Sequence, residues 1–297
     1  MHPKNFGLEL ILNDRQVSQQ FHKALTYQWS ISILFDQQSC QLMVVDEEKN
    51  AVEMLADLQM SGPAENEASI KQALAEAVEN HELLPSGTWD KIKIIQASTP
   101  FTLIPDELFN AGQLSNYAKL AGTDTYLNQL SSHQAALGLH VVFGEEKMWL
   151  NAVEDVFLSK RPQVFHAIDG FLLQTLRHIQ PGNQLSLFCH IGSFHVMIAA
   201  YQGRKLLLLN NYMIQDDNSL LYFIQLVAQE IGFSNMDDTL FLAGPIMPGS
   251  LGYEKLGRFF ARIQLMGTPT WLQIPADFNN QTLGRYSLLM SNHLLPS

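Results

Sequence analysis

"LSLFCHIGSFHVMIAAYQGRKLLLL", residues 185–209, consists of three apolar runs separated by two very short polar links, Gly192-Ser193 and Gln202-Gly203. Links this tight join antiparallel neighbours, because a parallel pair needs a crossover of about a dozen residues or more. The stretch therefore predicts a three-stranded meander. A glycine at the first central position of a two-residue link favours a type II′ turn. That register pairs Ile191 with Phe194 and sets His190 directly opposite His195, with Cβ atoms about 4.5–5.5 Å apart. Cys189 and Val196 then point to the opposite, buried face.

Downstream, "QDDNSLLYFIQLVAQEIGF" (215–233) predicts a helix with acids in its first turn and Gly232 at its end. "TLFLAG" (239–244) and "IQLMG" (263–267) read as strands, with a helix over 251–261 between them. The same order stands upstream. "SISILFD" (30–36), "CQLMVVDE" (40–47) and "AVEMLADLQM" (51–60) form a meander. A helix follows with Ile70, Leu74, Ala77, Val78 and His81 on one face and Pro85 as its stop. "KIKIIQA" (91–97) is a strand, and 105–122 reads as a helix from Pro105 to Gly122, followed by a polar loop over 123–137. Strands at 139–144 and 163–168 alternate with helices at 146–159 and 171–179, and "QPGN" (180–183) punctuates the chain. The order β-β-β-α-β-α-β thus occurs twice, starting near residues 30 and 185. Two lobes are expected, residues 1–180 and residues 181–297, the second with a C-terminal extension. The last thirty residues, with Pro269, Pro275 and "FNNQTLG", carry no pattern that places an element.

The 297 residues are 46% hydrophobic and 16% charged, enough to bury sizeable cores. A net charge of −11, from 29 acidic and 18 basic side chains, repels phosphate backbones and argues against nucleic acid as a partner. No apolar run reaches the roughly 20 residues of a spanning helix, and the opening "MHPKNFGLELILNDRQ" has too short an apolar core for a signal peptide. Two cysteines, Cys40 and Cys189, suit a reducing compartment. The expectation is a cytoplasmic protein with no membrane insertion.

The repeated meander followed by alternating helices and strands resembles the actin-like ATPase fold, in which each half is a ribonuclease-H-like domain. "FTLIPDELF" and the block from "LSLFCHIGSFHVMIAAYQGRKLLLLN" through "SLLYFIQLVAQEIGF" to "TLFLAG" are further similar to a Bacteroidetes family of unknown function with that fold. The resemblance spans roughly residues 29–267. It implies an α/β architecture of two ribonuclease-H-like lobes and assigns no activity.

In actin-like ATPases the first hairpin of each half grips phosphate with backbone N–H groups, and an Asp at the strand end orients metal or water. The resemblance makes Asp36, Gly192, Ser193 and Gly244 the nucleotide-site candidates. The match is partial. The first hairpin, Asp36-Gln37-Gln38-Ser39, keeps the acid and lacks the glycine; the second has His190 at the acid's place and Phe194 where a small polar residue belongs. "FLAGPIMPGS" keeps Gly244 from the adenosine motif, and Pro245 removes a donor there. His190 and His195 are weak metal candidates, which would need a third ligand such as Asp36; a hairpin packed for structural reasons is the stronger reading. Glu145 and Glu146 sit where a helix start favours acids, and Asp216-Asp217 and Asp237-Asp238 fit capping and turn roles. His22, His81, His133, His140, His166 and His178 read as scattered surface or satisfied core residues.

Three functions compete: a non-catalytic actin-like scaffold that binds another protein, a nucleotide-binding switch or ATPase with variant phosphate motifs, and a metal-dependent hydrolase centred on His190 and His195. The degraded motifs favour the first, with no resident cofactor and no catalytic residue assigned.

Overall fold

The computed structural model describes residues 8–22, 27–62, 64, 66–80, 89–123, 125, 126, 128–157, 162–179, 182 and 184–295. The expected positions of His81 and Pro85, and most of "QPGN", lie outside them. Two compact units emerge, one of the described residues up to 167 together with 271–278, the other of 168–270 together with 279–295.

In the first unit, β1 (Leu10–Val17), β2 (Trp29–Phe35), β3 (Ser39–Asp46), β4 (Ala51–Met60), β5 (Lys91–Gln96) and β9 (Gln163–His166) form one sheet, in the order β1-β4-β3-β2-β5-β9. The meander pairs antiparallel, and β5 and β9 add on in parallel. Helices α1 (Glu67–Asn80) and α3 (Lys147–Val156) supply the crossovers that parallel pairing needs. Ile31, Ile33 and Phe35 alternate onto the face that meets Ile70, Leu74 and Trp149 in one core. Phe35 stacks on Trp149 with centroids 3.8 Å apart, and Lys71 pairs with Asp155 at 2.6 Å across the two helices.

Between β5 and α3 lies a second, three-stranded sheet: β6 (Phe101–Pro105), β7 (Gln129–Gln134) and β8 (Leu139–Gly144), in the order β6-β8-β7. Here the structure corrects the sequence reading twice. The helix expected over 105–122 is α2 (Leu114–Ala121) alone, since Phe101–Pro105 pairs with β8 and short 3-10 turns occupy Asp106–Leu108 and Ala111–Gln113. Its end is as expected: Gly122 is left-handed, φ 68°. The loop expected over 123–137 contains β7, whose polar residues escape a hydrophobic pattern because it is an edge strand, half exposed.

In the second unit, β10 (Leu185–Ile191), β11 (His195–Gln202), β12 (Lys205–Met213), β13 (Thr239–Ala243) and β14 (Ile263–Leu265) follow the order β12-β11-β10-β13-β14. Strand for strand this repeats β4-β3-β2-β5-β9, with the same antiparallel meander and the same parallel additions. The two-lobed α/β repeat expected from residues 185–209 is therefore present. One face of this sheet, with Leu187, Cys189, Ile191, Val196 and Ile198, packs on α5 (Asp217–Glu230) and α6 (Leu251–Gly257). The other face meets α4 (Ala167–His178): Phe171 sets its ring edge-on to His190, and the hydroxyls of Thr175 and Tyr201 bond at 2.8 Å. The patternless C-terminus also holds structure. A 3-10 turn Leu283–Tyr286 runs into α7 (Ser287–Asn292), all six residues of which are buried. Gly170 of α4 lets Asn292 approach so closely that a Cβ there would meet its Cγ at 2.5 Å. Among the described residues no helix is long and apolar enough to cross a membrane.

Candidate functional site

The three motif positions sit at the ends of strands. In the first unit, Asp36 N–H donates to the Ser39 carbonyl at 3.0 Å, closing a tight turn whose central residues are Gln37 and Gln38. Asp36 is buried, and its Oδ1 accepts the Gln37 N–H at 2.7 Å. One backbone donor of this turn is thus held by the chain's own acid.

In the second unit, Ile191 pairs with Val196 and His190 with Met197, and Gly192 N–H donates to the His195 carbonyl at 2.8 Å. The central residues are Ser193 and Phe194. The expected turn is off by one residue, and the expected His190–His195 pairing is replaced by a diagonal one on the same face. The physical reason is the His195 ring, which lies over Gly192: a Cβ at 192 would stand 2.7 Å from its Cε1. Glycine is required beside the turn rather than inside it, and Gly192 is not among the residues with positive φ that a II′ turn demands. By turn geometry Gly192 occupies the place that Asp36 holds in the first hairpin. His190 and His195 are both buried, while Cys189 and Val196 face the opposite core. Burial pushes both the Cys40 and the Cys189 thiols up, with Asp57 adding to the effect at Cys40, so neither is a ready nucleophile.

Gly244 directly follows β13 with φ 101°, and a Cβ there would run into the carbonyl oxygen of Ile191. Its own carbonyl is approached by Gly284, where a Cβ would stand 2.7 Å from it. These two glycines let three backbone segments converge at the C-terminal ends of β13 and β14. A pocket of about 270 Å³ opens there, lined by Gly244, Met247, Thr268, Pro269, Gln281 and Gly284 among others. The carboxyl ends of parallel strands are where open α/β sheets place ligands. Ser193 does not line this pocket.

Asp216 and Asp238 play the structural roles the sequence suggests. Asp216 caps α5, accepting the N–H groups of Asn218 and Ser219 in a capping box, and those bonds hold its carboxyl below the usual range. Asp238 accepts the N–H groups of Ser234 and Leu185. His166 is a core histidine bonded to the Thr99 carbonyl at 2.8 Å. The sequence reading missed one cluster. His133 and His140, which the sequence shows only as scattered histidines, are cross-strand partners on the β7–β8 hairpin, with Asp106 beside both. Gly138 in "HQAALGLH" was the signal, a left-handed glycine (φ 63°) closing a four-residue turn between the two histidines.

Solved structures similar to this chain share its fold at low identity. A Bacteroides thetaiotaomicron protein described as having an actin-like ATPase fold and unknown function superposes with TM-score 0.69 at 15% identity, covering 83% of this chain and 93% of its own. The PilM–PilN type IV pilus biogenesis complex contributes a chain at TM-score 0.54 and 10% identity, covering 88% of this chain and 95% of its own. No curated protein matches the sequence. The fold is that of the actin-like ATPases, and since the family described as "Protein of unknown function (DUF3822)" matches residues 18–263, the chain belongs to that family.

Proposed function

We propose that the protein is a non-catalytic actin-like scaffold of two ribonuclease-H-like lobes whose task is to bind another protein. The observation that carries this reading is the state of the two hairpins. Asp36 caps its own turn through Gln37 N–H, and the His195 ring covers Gly192. Both places where an actin-like ATPase would open donors to phosphate are filled by the chain itself. The PilM–PilN complex supports the partner-binding half, as a protein assembly involving a chain of this fold. Two buried free thiols, Cys40 and Cys189, support a cytoplasmic location. The test is phosphate release from magnesium-ATP by the full chain, which should stay at background.

One observation favours a second reading, a nucleotide-binding switch using Asp36, Gly192, Ser193 and Gly244: the pocket beside Gly244. A ligand present at ten times its dissociation constant stabilises a protein by about 1.4 kcal/mol. A thermal shift with ATP of that size, without turnover, would replace the pure scaffold by a nucleotide-responsive one.

A further inference from the structure

The three-stranded sheet of the first unit carries a histidine pair with a carboxylate set against it. His133 and His140 are direct cross-strand partners, with rings stacked at 4.5 Å and 17° between planes. Asp106, the first residue after β6, reaches both: Oδ2 lies 3.2 Å from His133 Nε2 and Oδ1 lies 3.6 Å from His140 Nε2. The surroundings fix this arrangement. Asp106 N–H donates to the Gly138 carbonyl at 3.0 Å, tying the acid to the turn of the hairpin. Phe109 lies flat on the His140 ring, with centroids 3.5 Å apart and 6° between planes. Behind it Tyr117 stacks on Phe109, donates its hydroxyl to the Leu108 carbonyl at 2.6 Å and accepts the Asn110 N–H at 3.0 Å.

We propose that Asp106, His133 and His140 bind one divalent transition-metal ion of borderline softness, with zinc as the probe. Two imidazoles and a carboxylate are a zinc donor set. Metal–ligand bonds of about 2.0–2.2 Å hold donor atoms about 3.3 Å apart in a tetrahedral site. The three donors already lie within 4.8 Å of one another. Phe109 clamps His140, so the more exposed His133 ring tilts to close the gap. An ion pair needs one histidine beside Asp106; here a second ring, stacked on the first, brings its Nε2 to 3.6 Å from the same carboxylate and completes a three-donor set. Bound metal would pin the end of β6 to the β7–β8 hairpin, and the fourth position would face solvent.

The experiment is a zinc titration of the chelator-stripped full chain by calorimetry, with the His133→Gln and Asp106→Asn variants and His22→Gln as an exposed control. Losing an outer-shell partner already costs about 10–100-fold in metal affinity, so loss of a ligand should cost at least that. The expected result is one zinc per chain, weakened tenfold or more in both ligand variants and unchanged in the control. Carboethoxylation mapped by mass spectrometry gives a reading that needs no variant: zinc should shield His133 and His140. No binding below about 1 mM zinc, less than tenfold weakening in either ligand variant, or no shielding at these two rings would overturn the proposal.

Discussion

The imidazole of His195 lies directly over Gly192, at a distance where any Cβ would stand 2.7 Å from its Cε1. The ring is buried and bounded by its strand, so it cannot yield at no cost. Gly192→Ala should therefore destabilise the protein by about 1–3 kcal/mol. With His195 truncated to Ala, the same change should cost little. The double-mutant cycle, read by urea denaturation, should show coupling of at least about 0.5 kcal/mol. Additive effects would mean that the ring does not rest on the glycine.

Gly244 combines two constraints that can be separated. Its φ of 101° excludes most side chains, and a Cβ would also strike the Ile191 carbonyl. Gly249 has φ 87° with open space around it, so it carries strain alone. Gly249→Ala should cost about 1–2 kcal/mol, and Gly244→Ala about 3 kcal/mol or more. Equal melting temperatures for the two variants would contradict the close convergence at the pocket.

Lys93 is buried in β5, with its ammonium 6.0 Å from the centre of the Phe165 ring. Burial lowers its pKa from the ordinary 10.5, Glu47 pulls it back up, and Lys91 lowers it further. The unfolded chain holds this proton more tightly than the folded one, so the charge penalises folding at neutral pH. That penalty fades as pH rises from the folded value towards 10.5. Lys93→Met should be about 1 kcal/mol more stable than the parent at pH 7, with the advantage shrinking as pH approaches 10.5. A difference that stays constant across that range would show that the buried ammonium is not the cause.

The parts of the fold that could be read in the sequence are those where burial writes a period. β2, β3, β4, β10 and β11 are almost wholly buried, and each appears as an apolar run with a polar break at its turn. β7 was invisible because an exposed edge strand needs no apolar face, and "QLSSHQ" reads as a loop. Before α2 the chain ends β6 against β8 and then makes two 3-10 turns instead of one longer helix, a tertiary choice that helix-forming residues cannot announce. The hairpin at residues 192–195 failed by one residue for a similar reason. Glycine signals a turn centre, while here it serves the side chain of His195. The pocket at Gly244 depends on Gly284, forty residues further on in a stretch without pattern, and only the folded backbone brings them together.

A scaffold without hydrolysis requires both hairpins to be closed to phosphate by the chain's own groups. Phosphate release from magnesium-ATP, followed with the purified full chain and its Asp36→Asn variant, tests it most directly. Both proteins should release no phosphate above the protein-free background. Release that scales with the amount of parent protein and disappears in Asp36→Asn would show a working phosphate site at the first hairpin and contradict it.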